Sequence, residues 1–168
     1  MRIAVTGSSK LGGAIAQRFG ATVLRVEQQA DFNDFDVFVN NAHIDFCQTD
    51  LLARWFGVWC NDPTKMIINI SSRAGLSNLS KGYMYAAQKA ALDHMADNLI
   101  YNSNKKCRIT TIGLGMMEEN LPSLKYSEVC DLIDYVVHLP QHLEIPRIYL
   151  QHSHNYQDIQ RLKSSWYT

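Results

Sequence analysis

The sequence has no C-x-x-C pair, no run of five like charges, no internal repeat and no apolar stretch long enough to cross a bilayer. Each absence removes a class of function. Four scattered cysteines (Cys47, Cys60, Cys107, Cys130) give neither zinc-ligand spacing nor a disulfide framework, so reduced thiols are expected. Sixteen basic and sixteen acidic residues cancel. A neutral chain is a poor general binder of nucleic acid or of a membrane surface, because both reward a positive field. Charged residues are 19% of the chain, below the usual quarter. No signal peptide follows Met1-Arg2, so the expected address is the cytoplasm.

What remains is enough for one domain. The chain has 168 residues, 46% of them hydrophobic, sufficient for a real core. Residues 1–150 read as that domain, and the polar stretch 151–168 as a tail without pattern. Short apolar runs at 2–5, 22–26, 36–39, 66–70, 107–112 and 145–150 read as strands. Between them lie helical spacings: Leu11 to Phe19 closed by Gly20, Leu51 to Trp59, Tyr83 to Tyr101, and Ser127 to Leu139 with Ser127 as N-cap. Trp55, Phe56 and Trp59 form one apolar face, expected in the core or a subunit interface. Alternating strands and helices predict an α/β fold: a single minimal domain with a Rossmann-like, doubly wound parallel sheet.

Two motifs carry chemistry. The first is Thr6-Gly7-Ser8-Ser9-Lys10-Leu11-Gly12-Gly13, between the first strand and the first helix. Glycines let backbone approach a pyrophosphate, and the helix N-terminus offers free N–H groups. The second is Tyr85 with Lys89, four residues apart on one helical face, behind Ser72 at the end of a buried strand. An ammonium near a phenol favours the phenolate and makes it a usable acid or base. A serine hydroxyl at a strand C-terminus is placed to hydrogen-bond a carbonyl oxygen as charge develops on it. Singly, such residues are common; their joint order is the signal. His152 and His154 lack a third ligand nearby, so no metal site is expected.

In that order the motifs resemble the short-chain dehydrogenase/reductase family. Thr6-Gly7 with Gly12 or Gly13 resembles its cofactor turn, and Asn40-Asn41-Ala42-His43 its N-N-A-G segment. Ile68 to Ser72 is similar to the strand ending in the active serine, Tyr85-x-x-x-Lys89 is the family's Y-x-x-x-K, and Leu114-Gly115 stands at its P-G. The resemblance runs from about residue 2 to 117. It implies an enzyme interconverting a carbonyl and an alcohol by hydride transfer, with Ser72, Tyr85 and Lys89 catalytic. It implies a nicotinamide cofactor held by Gly7, Ser9, Lys10, Leu11, Gly12, Asp31, Phe32, Asn40, Asn41, Ala42, Tyr85, Lys89 and Gly115. Lys10 and Arg25 favour NADP; Glu27 argues for NAD. A homodimer through the Tyr83–Tyr101 helix and a small-molecule substrate follow by the same resemblance.

Departures accompany the likeness. The glycine turn lacks its middle glycine or is one residue short, and His43 replaces a glycine. The family's catalytic asparagine has no assigned counterpart, Asn61 being left uncommitted. The stretch between Val26 and Asp36 is too brief for a full helix and strand, and after Leu114-Gly115 there is little room for a substrate-covering helix pair, which predicts an open substrate site. These departures keep a second reading alive, a nucleotide-binding module with weak or no turnover. The Tyr–Lys pair alone also admits an epimerase or dehydratase.

Overall fold

Alternating apolar runs and amphipathic stretches become β1 (Ile3–Thr6), α1 (Lys10–Phe19), β2 (Thr22–Leu24), β3 (Val37–Asn40), α2 (Cys47–Trp59), β4 (Met66–Ser72), α3 (Tyr83–Asn102), β5 (Arg108–Leu114), α4 (Tyr126–Val137) and β6 (Arg147–Leu150). They are seen in a computed structural model that describes residues 1–28, 30–76, 82–117 and 123–153. The six strands pair in parallel in the order β2-β1-β3-β4-β5-β6. The order reverses between β1 and β3, so the sheet is doubly wound, as expected. In such sheets a ligand crevice opens at the carboxyl ends of the strands where the order reverses.

Both faces are covered. One layer joins β1, β3, β4 and β5 to α1 and α4 through Ile15, Val39, Ile68, Ile112, Ile133 and Val136. The other packs α2 and α3 through Leu52, Trp55, Trp59, Leu92 and Ala96 against Phe38, Ile67 and Ile109. This double burial explains why the strands read as continuous apolar runs rather than alternating ones.

Only a 3-10 turn, Phe32–Asp34, lies among the described residues between β2 and β3. Aromatic rings cover that flank. Trp55 stacks on Phe38 at 4.1 Å between ring centres, meets Trp59 edge-on at 4.6 Å and lies 4.4 Å from Phe32. The aromatic face of α2 is therefore core.

Several boundaries differ from the sequence reading, most by one or two residues. Helix α2 starts at Cys47, not Leu51. Helix α4 starts at Tyr126, so Ser127 lies inside it; the Glu128 carboxylate instead accepts from the Lys125 N–H at 2.7 Å. The stretch 154–168, including His154, lies outside the described residues. No helix among the described residues is long and apolar enough to cross a membrane.

Candidate active site

The site begins at the end of β1. The Thr6 hydroxyl accepts from the backbone N–H groups of Asn41 and Ala42, at 2.9 and 3.0 Å. The Asn41 side chain donates to the Thr6 carbonyl at 3.0 Å. These bonds tie the ends of β1 and β3 together where the strand order reverses. Gly7 turns the chain with φ +86°, which favours glycine. Gly12 then lets α1 close on that turn, because a Cβ there would lie 2.2 Å from the Gly7 carbonyl oxygen. Lys10 opens the helix as a non-glycine residue in the left-handed region, at φ +52°. No side chain caps the N-terminus of α1. Its first-turn N–H groups are thus left to a ligand or water.

Strand β4 delivers Ser72. Its hydroxyl oxygen accepts from the Ala74 N–H at 3.1 Å, capping the 3-10 turn Arg73–Gly75. That bond fixes the oxygen and leaves the hydroxyl proton to donate. Helix α3 delivers Tyr85, 39% exposed, and Lys89, 3% exposed, one turn apart. The Lys89 ammonium lies 5.6 Å from the centre of the Tyr85 ring.

The lysine is held by a residue that sequence reasoning missed. Gln48, in the first turn of α2 and 3% exposed, accepts from the Lys89 ammonium through Oε1 at 2.6 Å. Its Nε2 donates to the Asn40 and Ile70 carbonyls at 2.7 and 2.9 Å. The Ile70 carbonyl also accepts from Lys89 at 3.0 Å. Asn40 completes the frame by donating to the Gln48 carbonyl at 2.7 Å and to Asn69 Oδ1 at 3.1 Å. Burial pushes the Lys89 ammonium down to about 8, against the opposing pull of Asp93 and Cys47. Gln48 was legible in principle. Extending the apolar stripe Leu51, Leu52, Trp55, Trp59 one turn back puts Gln48 on the buried face, and a buried amide needs partners. Asn61 lies past the far end of α2, beside the starts of β4 and β5, so it takes no part.

These groups face one cleft of about 370 Å³. It gathers Gly7, Ser9, Lys10 and Leu11 from the turn, Asn41 and Ala42 from the loop after β3, and Ser72, Tyr85, Lys89 and Gly115. His43 enters it too, with its ring 4.9 Å from Tyr85 and edge-on. Met117 and Tyr126, which the sequence reading did not single out, line the side nearest α4. Four expected contacts are not in its wall. Gly12 lies behind the turn and Asn40 is fully buried beneath it. Asp31 accepts from the Asn33 N–H and caps the 3-10 turn, while Phe32 packs on Trp55. Arg25 and Glu27 are exposed beyond β2, outside the cleft.

The geometry has clear parallels among solved structures. A closed form of serine dehydrogenase complexed with NADP+ superposes with a TM-score of 0.75 at 18% identity, covering 93% of this chain and 97% of that one. This protein has the short-chain dehydrogenase/reductase fold. An alcohol dehydrogenase from the archaeon Thermococcus sibiricus, complexed with 5-hydroxy-NADP, gives 0.72 at 15% identity over 92% and 98% of the two chains. A metagenomic short-chain oxidoreductase in complex with NADP gives 0.65 at 20% identity over 89% and 96%. No protein-family model and no curated protein matches the sequence. Within the short-chain dehydrogenase/reductase fold, the turn after β1 and the Ser72–Tyr85–Lys89 group stand at the carboxyl edge of the sheet, where the crevice is expected.

Proposed function

We propose that this protein is an NADP-dependent oxidoreductase that interconverts a carbonyl and an alcohol on a small molecule. The observation that carries the reading is a cleft that joins the uncapped α1 N-terminus to Ser72, Tyr85 and the clamped Lys89. The residues fit a dinucleotide: a glycine cradle that a Cβ would fill, free first-turn N–H groups for phosphate, and a buried ammonium at the far end. A bound nicotinamide would supply or accept the hydride.

The protein's own residues handle orientation and protons. Ser72 donates its hydroxyl proton to the substrate oxygen and holds it near Tyr85. Tyr85 gives a proton to that oxygen during reduction and takes it back during oxidation. Lys89, fixed by Gln48 and the Ile70 carbonyl, keeps a third N–H for the cleft, where a ribose hydroxyl can accept it. Lys10 sets the preference for a 2′-phosphate. We assign this work to residues 1–150, and we read the protein as a cytoplasmic homodimer formed through α3.

Calorimetric titration with NADPH and NADH, followed by absorbance assays on a panel of aldehydes, ketones and secondary alcohols, tests the proposal. NADPH is expected to bind more tightly than NADH, and Lys10→Met to erase about tenfold of that difference, worth about 1.4 kcal/mol. Failure of both nucleotides to bind contradicts the proposal.

A further inference from the structure

We infer that His43 is the group through which Tyr85 exchanges its proton with solvent, an inference that rests on the carbonyl–alcohol reading above. Inward from Tyr85, the groups that hold Lys89 do not titrate. Lys89 is almost fully buried, and its ammonium donates to Gln48 Oε1 and the Ile70 carbonyl. The Gln48 amide is committed at both ends, its Nε2 to the Asn40 and Ile70 carbonyls. None of these acceptors titrates. Asp93, one turn further along α3, is itself buried and engaged by Arg147 at 3.4 Å. A proton passed inward reaches Asp93, whose carboxylate already faces the Arg147 guanidinium.

Outward the chemistry differs. His43 is exposed, lines the same cleft, and presents its ring at 71° to Tyr85 with centres 4.9 Å apart. The groups facing it are Tyr85, Gln88 and Lys89 from α3 and Asp45 from its own loop. Partial burial first, and then Lys89, hold its pKa below the usual 6.5, while the hydrogen bond to Gln88 and the charge of Asp45 oppose. The imidazole is therefore neutral at pH 7, with a ring nitrogen free of its proton and able to take one.

The relay moves protons only. During oxidation the substrate hydroxyl proton passes to the Tyr85 oxygen. The phenol proton then passes to the His43 ring nitrogen, directly or across one water, and the imidazolium releases it to solvent. One proton leaves per turnover, and both side chains return to their starting charge. Reduction runs the same path backwards.

Two variants and one spectrum test this role. His43→Phe keeps an aromatic ring against Tyr85 but removes the nitrogens; it is expected to lower kcat about tenfold or more with unchanged NADP affinity. His43→Gly is expected to lose the same activity and to recover it when imidazole is added. Independently of turnover, the His43 ring proton followed by NMR is expected to titrate below 6.5, and its midpoint to move up in Lys89→Met. Equal turnover by the wild type and His43→Phe, or a midpoint indifferent to Lys89→Met, overturns the His43 role and leaves the Ser72–Tyr85–Lys89 reading standing. A wild type that binds NADP yet turns over nothing in the carbonyl and alcohol panel overturns that reading instead, and the relay with it.

Discussion

Replacing Lys89 by methionine is expected to stabilise the fold at neutral pH while removing turnover. Burial lowers the Lys89 ammonium from 10.5 to about 8. A drop of that size corresponds to about 3 kcal/mol of destabilisation whenever the group is charged in the fold. The unfolded chain keeps its proton up to 10.5, so it binds more protons than the native chain between about 8 and 10.5. The cost is therefore complete below the folded value and fades as pH rises through that window. Methionine avoids the cost but loses both bonds of the ammonium; the Ile70 carbonyl keeps its bond from Gln48 Nε2, so the main loss is the bond to Gln48 Oε1, worth about 2 kcal/mol. The net gain is about 1 kcal/mol near pH 7, and it reverses near pH 10, because the wild type recovers about 2–3 kcal/mol in between. Urea unfolding of both proteins at the two pH values reads this difference directly, since other titrating groups are shared. A stability difference that does not change with pH refutes the reasoning.

Gln48→Leu removes the Lys89 acceptor and is expected to cost about 2 kcal/mol, seen as a fall in Tm of about 4–8 °C. It also withdraws support from the charged lysine, so the alkaline limb of kcat/KM is expected to move to lower pH. A pH profile superimposable on that of the wild type contradicts the clamp. Gly12→Ala places a Cβ 2.2 Å from the Gly7 carbonyl oxygen. The turn must open, costing about 3 kcal/mol by overpacking, and calorimetry is expected to show loss of NADPH binding.

Much of this arrangement was legible because the sequence repeats one message at several levels. Met66 to Ile70 is too apolar for anything but a doubly covered strand, and that strand delivers Ser72. The four-residue spacing of Tyr85 and Lys89 fixes their shared side of α3 whatever the helix packs against. Gln48 was hidden for a physical reason. Its role comes from partners on β3, β4 and α3, and the chain before Leu51 carries no strong start signal, since no side chain caps α2. Asp31 and Phe32 illustrate the converse. Matching by position puts them near the cofactor; the fold shows Asp31 capping a turn and Phe32 packed on Trp55, contacts that spacing alone does not reveal. His43 was visible as an intruder at a glycine position; only the folded loop reveals that it meets Tyr85.

The central claim is that Tyr85 handles the substrate proton in a cleft that binds NADP. The measurement that tests it most directly is NADPH oxidation across the carbonyl panel by the wild type and by Tyr85→Phe, with NADPH affinity measured in parallel. Removing a general acid costs about 10²–10⁴ in rate, so kcat is expected to fall at least a hundredfold, by about 10² or more, while NADPH affinity stays the same. Equal kcat for the two proteins contradicts the account.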